Sequence, residues 1–288
     1  MNKKMSKNVG KGLTAFFVTM AVLFAVLAGV KAMQIAGGST APTTKAEKTT
    51  ANSSAGETSA VTHAPIISTT AAPKKPGPDE KIVYLTFDDG PTENTTKLMD
   101  VLEQNDVRGT FFVIHTYDGC EKQIREIYKR GHCVALHTYT HEYSIYKSEE
   151  TYFDDLNKIS DLVYQATGKR SMLIRFPGGS SNTISRKYKT GIMTTLTQEV
   201  TKRGYAYFDW NVDSTDASRK TVSVEKIVRN STSGIGNTNQ VVLLMHDAQA
   251  KTTTVQALPD VIKAYKDAGY RFDVLSTNAA ECHHGVNN

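Results

Sequence analysis

The sequence is poor in cysteine and, after its first 80 residues, in net charge. Three cysteines, Cys120, Cys133 and Cys282, are too few for a disulfide framework, and none has the CxxC spacing of a structural zinc site. Export would permit a Cys120–Cys133 disulfide, and buried free thiols are the alternative. Residues 81–288 contain 25 basic and 25 acidic side chains. This balance argues against general nucleic-acid binding, so we expect no nucleic-acid partner.

Long apolar runs are also scarce, since only the segment from Leu13 to Val30 is uncharged over the length of a membrane span. Lysines precede this segment, which predicts a cytoplasmic N-terminus and places the rest of the chain outside the membrane. Cleavage after Ala32 would release a secreted protein, but Lys31 makes a poor cleavage site. We therefore expect residues 1–36 to be a cytoplasmic tail and an uncleaved signal anchor in the cell membrane.

Large apolar side chains are nearly absent from residues 37–79, which consist mainly of Thr, Ser, Ala, Pro, Gly and Lys. Such a segment cannot bury enough surface to offset the entropy of ordering it, so we predict a disordered linker. The composition changes at residue 80, and we predict one folded domain over residues 80–288.

In this domain short apolar runs alternate with longer amphipathic stretches, a pattern that predicts an α/β fold with parallel strands, either an open sheet or a barrel. The strand candidates are Ile82–Phe87, Gly109–Ile114, Cys133–Leu136, Met172–Phe176, Tyr205–Trp210, Val241–Met245 and Phe272–Leu275. The helix candidates are Asn94–Gln104, Lys122–Arg130, Ser148–Thr167, Ser185–Arg203, Val222–Arg229 and Thr253–Ala268. In such folds the chemistry collects at the C-terminal ends of the strands.

Unusual polar residues follow five of the predicted strands. Each group has an ordinary explanation by itself, such as a turn, a solvated arginine or a buried tryptophan. Their repetition at strand ends indicates an active site. The five segments are TFDDGP from Thr86, HTYTH from His137, RFPGG from Arg175, FDWNVDSTDA from Phe208 and LLMHD from Leu243.

The HTYTH segment suggests a metal site. His137 and His141 are four residues apart, so a helical turn would place both imidazoles on one face. A carboxylate from a neighbouring strand end would complete a His₂Asp set. Three protein ligands leave a position open for water, which is typical of a catalytic metal site.

In this order the five segments resemble the motifs of the polysaccharide deacetylases, the NodB-homology or carbohydrate esterase family 4 enzymes, and among them the membrane-anchored peptidoglycan N-acetylglucosamine deacetylases. The resemblance covers the chain from about Lys81 to its end. It implies a distorted (β/α) barrel, often of seven strands. It also implies metal-dependent hydrolysis of N- or O-acetyl groups on chitin-like polymers, peptidoglycan or xylan.

The resemblance implies roles for the central polar residues. Asp89, His137 and His141 would hold one divalent metal, for which we expect zinc, with cobalt, nickel or manganese as alternatives. Asp88 would be the general base and His246 the general acid.

The resemblance also assigns residues around that centre. Arg175 would orient Asp88, and the backbone N–H of Gly178 would bind the oxyanion. Leu244 and Trp210 would line the pocket for the acetyl methyl group.

The fourth motif offers two candidates for the acid that raises the pKa of His246. We prefer Asp209, which would also contact Arg175, and Asp213 is the rival. The chain departs from the family pattern twice. Gly178 stands where relatives often have Tyr, and Asp216-Ala217 stands where many have Asp-Trp.

The predicted anchor and linker would restrict the enzyme to the zone where the cell wall lies. We therefore expect a peptidoglycan N-acetylglucosamine deacetylase, a hydrolase of linear amides. Deacetylation of chitin oligomers or acetylated xylan is the nearest alternative. A non-catalytic wall-binding protein is the alternative of another class, and it predicts loss of at least one ligand or catalytic group, whereas all are present.

Overall fold

The described part of the chain is the C-terminal three quarters: a computed structural model describes residues 75–77 and 79–287. The predicted signal anchor and most of the predicted linker lie outside these residues. Within the described ranges, no helix combines the length and the apolar character needed to cross a membrane.

Strands and helices alternate along the described residues, as the sequence predicts. The strands are β1 (Ile82–Asp88), β2 (Thr110–Val113), β3 (Cys133–Leu136), β4 (Leu173–Ile174), β5 (Ala206–Tyr207), β6 (Val212–Asp213), β7 (Gln240–His246) and β8 (Arg271–Asp273). The α-helices are α1 (Glu93–Gln104), α2 (Glu121–Lys129), α3 (Glu149–Thr167), α4 (Ile192–Lys202), α5 (Val224–Ser231) and α6 (Thr252–Asp267).

All seven predicted strands are confirmed, and β6 is an eighth that the sequence did not predict. The helix predicted over Ser185–Arg203 is wrong in its first part. A 3-10 turn at Ile184–Lys187 comes first, and α4 begins only after Gly191, whose φ is +80°.

Every strand pairing is parallel, and the strand order is β5-β4-β3-β2-β1-β7-β6. β8 pairs with the first half of β1, and β2 pairs with its second half. β5 and β6 end this order, yet only residues 208–211 separate them. Five residue steps span at most about 18 Å, so the two ends of the sheet must approach each other. The curled sheet is the distorted α/β barrel that the sequence predicts.

The strands alternate between two apolar layers. In β1, Val83, Leu85 and Phe87 join the large cluster under the helices, whereas Ile82 and Tyr84 join a smaller cluster on the inner face. Alternation has a period of two residues, so the inner face of β1 ends in polar side chains.

The same alternation brings the end of each central strand to one place. Ala135 on β3, Leu173 on β4 and Val242 on β7 belong to the inner cluster. Continuing this alternation two residues at a time places His137, Arg175 and His246 on the inner face. On β1 the same alternation places Asp88 there. In the β1–β7 register Asp88 pairs with His246. The C-terminal edge of the sheet therefore gathers these side chains on its inner face.

Candidate metal and catalytic site

Three side chains at this edge form a cluster with the geometry of a metal site. Asp89 Oδ1 is 3.3 Å from His141 Nε2 and 3.7 Å from His137 Nε2. One donor atom from each residue lies within 4.8 Å of the other two. Among the described residues this is the one cluster of this kind, and it is the set predicted from the sequence.

The loop that carries the two histidines is not helical, so the expected helical turn is wrong. Thr138 and His141 have φ values of +67° and +56°. The loop instead wraps the Asp155 carboxylate of α3, whose Oδ1 accepts hydrogen bonds from the backbone N–H groups of Tyr139 (2.6 Å) and Thr140 (3.0 Å). These bonds from α3 fix the loop in the conformation that turns both imidazoles toward Asp89.

The imidazole of His137 is neutral, and one of its nitrogens makes a hydrogen bond to the backbone. Burial lowers the pKa of His137 to about 4, and the nearby carboxylates only partly oppose this effect. Nδ1 lies 2.8 Å from the carbonyl oxygen of Arg175, so Nδ1 carries the proton and donates it to that oxygen. Nε2 is left with a lone pair facing Asp89, which is the state that a metal ligand requires.

Asp89 reaches the same point because the chain leaves strand geometry there. Its φ is +77°, so its side chain does not alternate to the outer face after Asp88. Oδ1 of Asp89 is buried and makes no hydrogen bond within the described residues. A buried carboxylate oxygen without a donor is costly unless a cation pairs with it. Two imidazole nitrogens and this oxygen therefore fit a divalent metal ion.

Asp88 is oriented by a buried arginine, as predicted. Arg175 is fully buried, and its Nη1 donates to Asp88 Oδ1 and to the hydroxyl of Thr86, both at 2.8 Å. Its Nε donates to the carbonyl oxygen of Phe208 at 2.9 Å. The guanidinium is thus held from several sides and fixes one carboxylate oxygen. The other oxygen, Oδ2, points to His137, with a separation of 3.7 Å from Nε2.

His246 is paired with a carboxylate that the sequence reasoning did not select. Asp216 Oδ1 lies 2.7 Å from His246 Nδ1, and Asp216 Oδ2 accepts from the His246 backbone N–H at 2.8 Å. Burial lowers the pKa of His246, but the hydrogen bond and charge of Asp216 outweigh it and raise the pKa to about 9. The imidazolium is therefore the prevailing form near neutral pH, with Nε2 free to donate.

The prediction that Asp209 or Asp213 raises the pKa of His246 is wrong. The carboxylate of Asp209 accepts from the Ser180 hydroxyl (2.5 Å) and from the backbone N–H groups of Ser180 and His284, both at 2.8 Å. Its contact with Arg175 is made by the backbone carbonyl oxygen, at 2.9 Å. Asp213 is exposed and accepts only from the backbone N–H of Thr215. Asp209 thus supports the loop after β4.

Asp216 stands beside Ala217, the second of the two departures from the family pattern. It begins a 3-10 turn after β6, and Thr215 before it has a φ of +57°. Thr254 on α6 donates to Asp216 Oδ2 at 2.8 Å. The only sequence signal was an acidic residue six positions beyond the predicted strand Tyr205–Trp210, and nothing in that spacing indicates a contact with β7.

Asp247, which also follows β7, faces away from His246. Its Oδ2 accepts from the hydroxyl of Thr95 on α1, and its backbone N–H donates to the carbonyl oxygen of Asp88 at 3.0 Å. Burial raises the pKa of Asp247 to about 7. A Cβ on Gly90 would overlap this carboxylate, so only glycine fits after Asp89.

The remaining predicted residues lie around the same edge. Gly178 has a φ of +77°, and its backbone N–H has no hydrogen-bond partner in the described part of the chain. Trp210 lies beside Gly179 and is 5.7 Å from the Arg175 guanidinium carbon. Leu244 is buried on the inner face of β7, two residues before His246. The acetyl pocket formed by Leu244 and Trp210 stays a prediction.

The cysteines and the C-terminal histidines form no second centre. All three cysteines are free thiols, so the Cys120–Cys133 disulfide is not formed. His283 stacks on Tyr207 with ring centroids 3.8 Å apart, and His284 Nε2 lies 2.7 Å from the carbonyl oxygen of Trp210.

Comparison with known proteins agrees with this geometry. Residues 75–193 match the polysaccharide deacetylase family. A peptidoglycan-N-acetylglucosamine deacetylase of Bacillus cereus is 31% identical over 76% of this chain and 77% of its own length. The catalytic domain of a peptidoglycan N-acetylglucosamine deacetylase from Eubacterium rectale is 45% identical, with a TM-score of 0.71 over 76% of this chain and 99% of that structure. The polysaccharide deacetylase Bc1974 from Bacillus cereus is 30% identical, with a TM-score of 0.60 over 69% of this chain and 93% of that structure. The chain belongs to the polysaccharide deacetylase family, the NodB-homology enzymes of carbohydrate esterase family 4.

Proposed function

We propose that this enzyme removes the N-acetyl group from N-acetylglucosamine units of peptidoglycan. The observation that carries the proposal is the presence of one ligand triad at the same sheet edge as two prepared proton carriers. The carriers are Asp88 held by Arg175 and His246 held by Asp216. An amide needs an activated nucleophile, a stabilised oxyanion and a protonated leaving amine, and these groups can supply all three.

Asp89, His137 and His141 are proposed to hold the metal, and we propose zinc because two imidazoles and one carboxylate suit that ion. Cobalt, nickel and manganese accept similar ligands. When bound, the ion would lower the pKa of its water toward roughly 7 and polarise the acetyl oxygen. The unpartnered Oδ1 of Asp89 and the free Nε2 of His137 support this ligand set.

Asp88 acts as the general base through Oδ2. Its other oxygen, Oδ1, is held by Arg175 at 2.8 Å, so Oδ2 is the atom available to take a proton from the attacking water. The guanidinium holds this carboxylate in one orientation. Arg175 is therefore a positioning residue, and Asp88 is the catalytic one.

His246 acts as the general acid through Nε2. Asp216 holds Nδ1 at 2.7 Å and keeps the ring cationic, so Nε2 carries a proton for the departing glucosamine nitrogen. An amine leaves readily only when it is protonated, which makes this transfer necessary. Asp216 contributes by setting the charge and the orientation of the ring.

The loop after β4 supplies the oxyanion donor. The backbone N–H of Gly178 would bind the acetyl oxygen as it becomes negative, and Asp209 braces this loop through Ser180. Leu244 and Trp210 are proposed to enclose the acetyl methyl group, since both lie on the inner side of the sheet edge next to these groups.

The polymer is proposed from two lines of support. The relatives from Bacillus cereus and Eubacterium rectale are both named as peptidoglycan N-acetylglucosamine deacetylases. The sequence also predicts a membrane anchor at residues 1–36 and a linker at 37–79, which would hold a catalytic domain of residues 80–288 at the wall. A cavity of about 710 Å³ beside Asp89, lined partly by Tyr117 and Gln123, gives room for neighbouring sugars.

Acetate release from purified peptidoglycan tests the proposal. We expect release that stops on chelation and returns with zinc, and a higher rate on peptidoglycan than on chitin oligomers or acetylated xylan. A faster rate on either of the other polymers would replace the substrate. Binding of peptidoglycan without any acetate release would support the wall-binding alternative instead.

The anchor is tested separately. Full-length protein should stay with the membrane fraction after washing with salt and carbonate, while a form starting at residue 37 should be soluble and equally active on isolated peptidoglycan. Recovery in the medium of a shortened form that begins at residue 33 would indicate cleavage after Ala32.

A further inference from the structure

The hydroxyl of Tyr143 lies next to the proposed oxyanion donor. Tyr143 begins a 3-10 turn, Tyr143–Lys147, two residues after the ligand His141, and its ring contacts the imidazole of His141 edge-on with centroids 6.4 Å apart. The same turn is tied to the loop after β4, because Tyr146 Oη donates to the carbonyl oxygen of Pro177 at 2.9 Å. Tyr143 is therefore fixed between the metal ligands and the loop that carries Gly178.

Gly178 shows where the hydroxyl points. A Cβ built on Gly178 would lie 2.7 Å from Tyr143 Oη and 3.4 Å from its Cε1. The phenol thus fills the space that a side chain at position 178 would take. Tyr143 Oη therefore lies next to the backbone of Gly178, whose N–H is the proposed oxyanion donor.

The two tyrosines of this turn differ in how their hydroxyls are used. Tyr146 is fully buried, and its hydroxyl donates a hydrogen bond to the carbonyl oxygen of Pro177. Tyr143 is only partly buried, and within the described residues its hydroxyl has no hydrogen-bond partner. A donor that faces a catalytic centre and makes no bond of its own is available to a substrate.

We propose that Tyr143 is a further catalytic residue, whose hydroxyl donates a hydrogen bond to the acetyl oxygen beside the backbone N–H of Gly178. This inference rests on the proposed deacetylase function. The bond strengthens as the oxygen becomes negative on attack by water, so it acts mainly on the transition state. No proton needs to leave the phenol, which is neutral throughout.

Tyr143→Phe tests the role, since it removes one oxygen atom and keeps the ring. We expect kcat/KM for acetate release from soluble peptidoglycan fragments to fall roughly 100- to 1,000-fold, mainly in kcat, the range for loss of an oxyanion donor. Zinc content and the melting temperature should match wild type. Tyr164→Phe is the matched control, because Tyr164 is exposed on α3 and should keep wild-type rates.

A binding measurement separates this role from a contact with the sugar. The probe is a glucosamine-containing fragment in which a methylphosphonamidate replaces the acetamide and mimics the tetrahedral oxyanion. Tyr143→Phe should weaken its binding by the same factor as kcat/KM, and should leave binding of the deacetylated fragment unchanged. Equal weakening of both ligands, or loss of zinc, would overturn the proposal.

Two further outcomes are distinguishable. If wild type releases acetate and Tyr143→Phe stays within twofold of it, the inference alone is overturned. If wild type releases no acetate from any acetylated polymer, the proposed function fails and the inference falls with it.

Gly178→Ala provides a second test of the geometry. In wild type the new methyl group meets the Tyr143 hydroxyl, and in Tyr143→Phe that atom is gone. The strain of an alanine at a φ of +77° is common to both backgrounds. We expect Gly178→Ala to lower the melting temperature more in wild type than in Tyr143→Phe. Equal losses would place the hydroxyl elsewhere and contradict the inference.

Discussion

The two sides of the catalytic site differ in how completely their polar atoms are satisfied. On the metal side, Asp89 Oδ1 is buried without a hydrogen bond, and His137 presents a bare Nε2. On the acid side, Asp216 binds both the ring and the backbone of His246 and also receives Thr254. The metal side is built to be completed by a ligand. The acid side is complete as it stands and already holds its charge.

Removing a metal ligand should lower activity the most, because the metal side depends on a bound ion to satisfy its polar atoms. Asp89→Ala takes away the one anionic ligand, so we expect zinc to be lost. Acetate release should fall by more than about 100-fold, since even partners outside the ligand set commonly cost 10- to 100-fold. Metal analysis and the acetate assay check this outcome. Asp161→Ala on the exposed face of α3 is the control, and an Asp89→Ala protein that keeps zinc would contradict the ligand set.

Asp216→Asn should break the acid side without touching the metal. With the carboxylate gone, only the charges of Asp89 and Asp88 oppose the effect of burial, and we expect the pKa of His246 to fall from about 9 toward the ordinary value of 6.5. The acid must be protonated to work, so activity at pH 8 should drop roughly 30-fold and recover partly at lower pH. In the zinc-loaded wild type, the alkaline limb of the pH–rate profile should lie at or below pH 9, since the positive charge of the ion opposes protonation of His246.

The pH–rate profile of kcat/KM measures this shift, and zinc content should stay at the wild-type level. Asp213→Asn is the matched control, because this exposed acid makes no contact with His246 and should leave the profile unchanged. An Asp216→Asn enzyme with the wild-type alkaline limb would show that another group is the acid.

Asp209→Asn should have the smallest effect of the three. It weakens the hydrogen bonds to Ser180 and His284 that brace the loop of Gly178, so we expect activity to fall about tenfold, the low end of the 10- to 100-fold range for partners outside the ligand set. The alkaline limb should not move, because Asp209 does not touch His246. A shift of that limb comparable with that of Asp216→Asn would restore the assignment made from the sequence.

The metal side could be predicted from the sequence because its geometry is repetitive. Parallel strands end at one edge, and alternation along each strand brings Asp88, His137 and Arg175 to the inner face. Knowing where each strand ends was therefore sufficient to bring these residues together, and β3 was predicted with its observed bounds.

The acid side could not be predicted in the same way. Asp216 meets His246 across 30 residues of sequence, from a 3-10 turn preceded by Thr215 in a left-handed conformation. β6 has two residues, too few for any periodicity to show. The conformation of the HTYTH loop was predicted wrongly for a related reason. It depends on hydrogen bonds to Asp155 of α3, which the local sequence pattern does not show.

The division of labour between the two adjacent acids is the central claim, and Asp88→Asn tests it most directly. Zinc content and acetate release from peptidoglycan should be measured on the same preparation. We expect full zinc occupancy, because Asp89, His137 and His141 are intact, together with a loss of activity of roughly 10²- to 10⁴-fold from removal of the general base. Wild-type activity, or loss of zinc along with activity, would contradict the separate roles of Asp88 and Asp89.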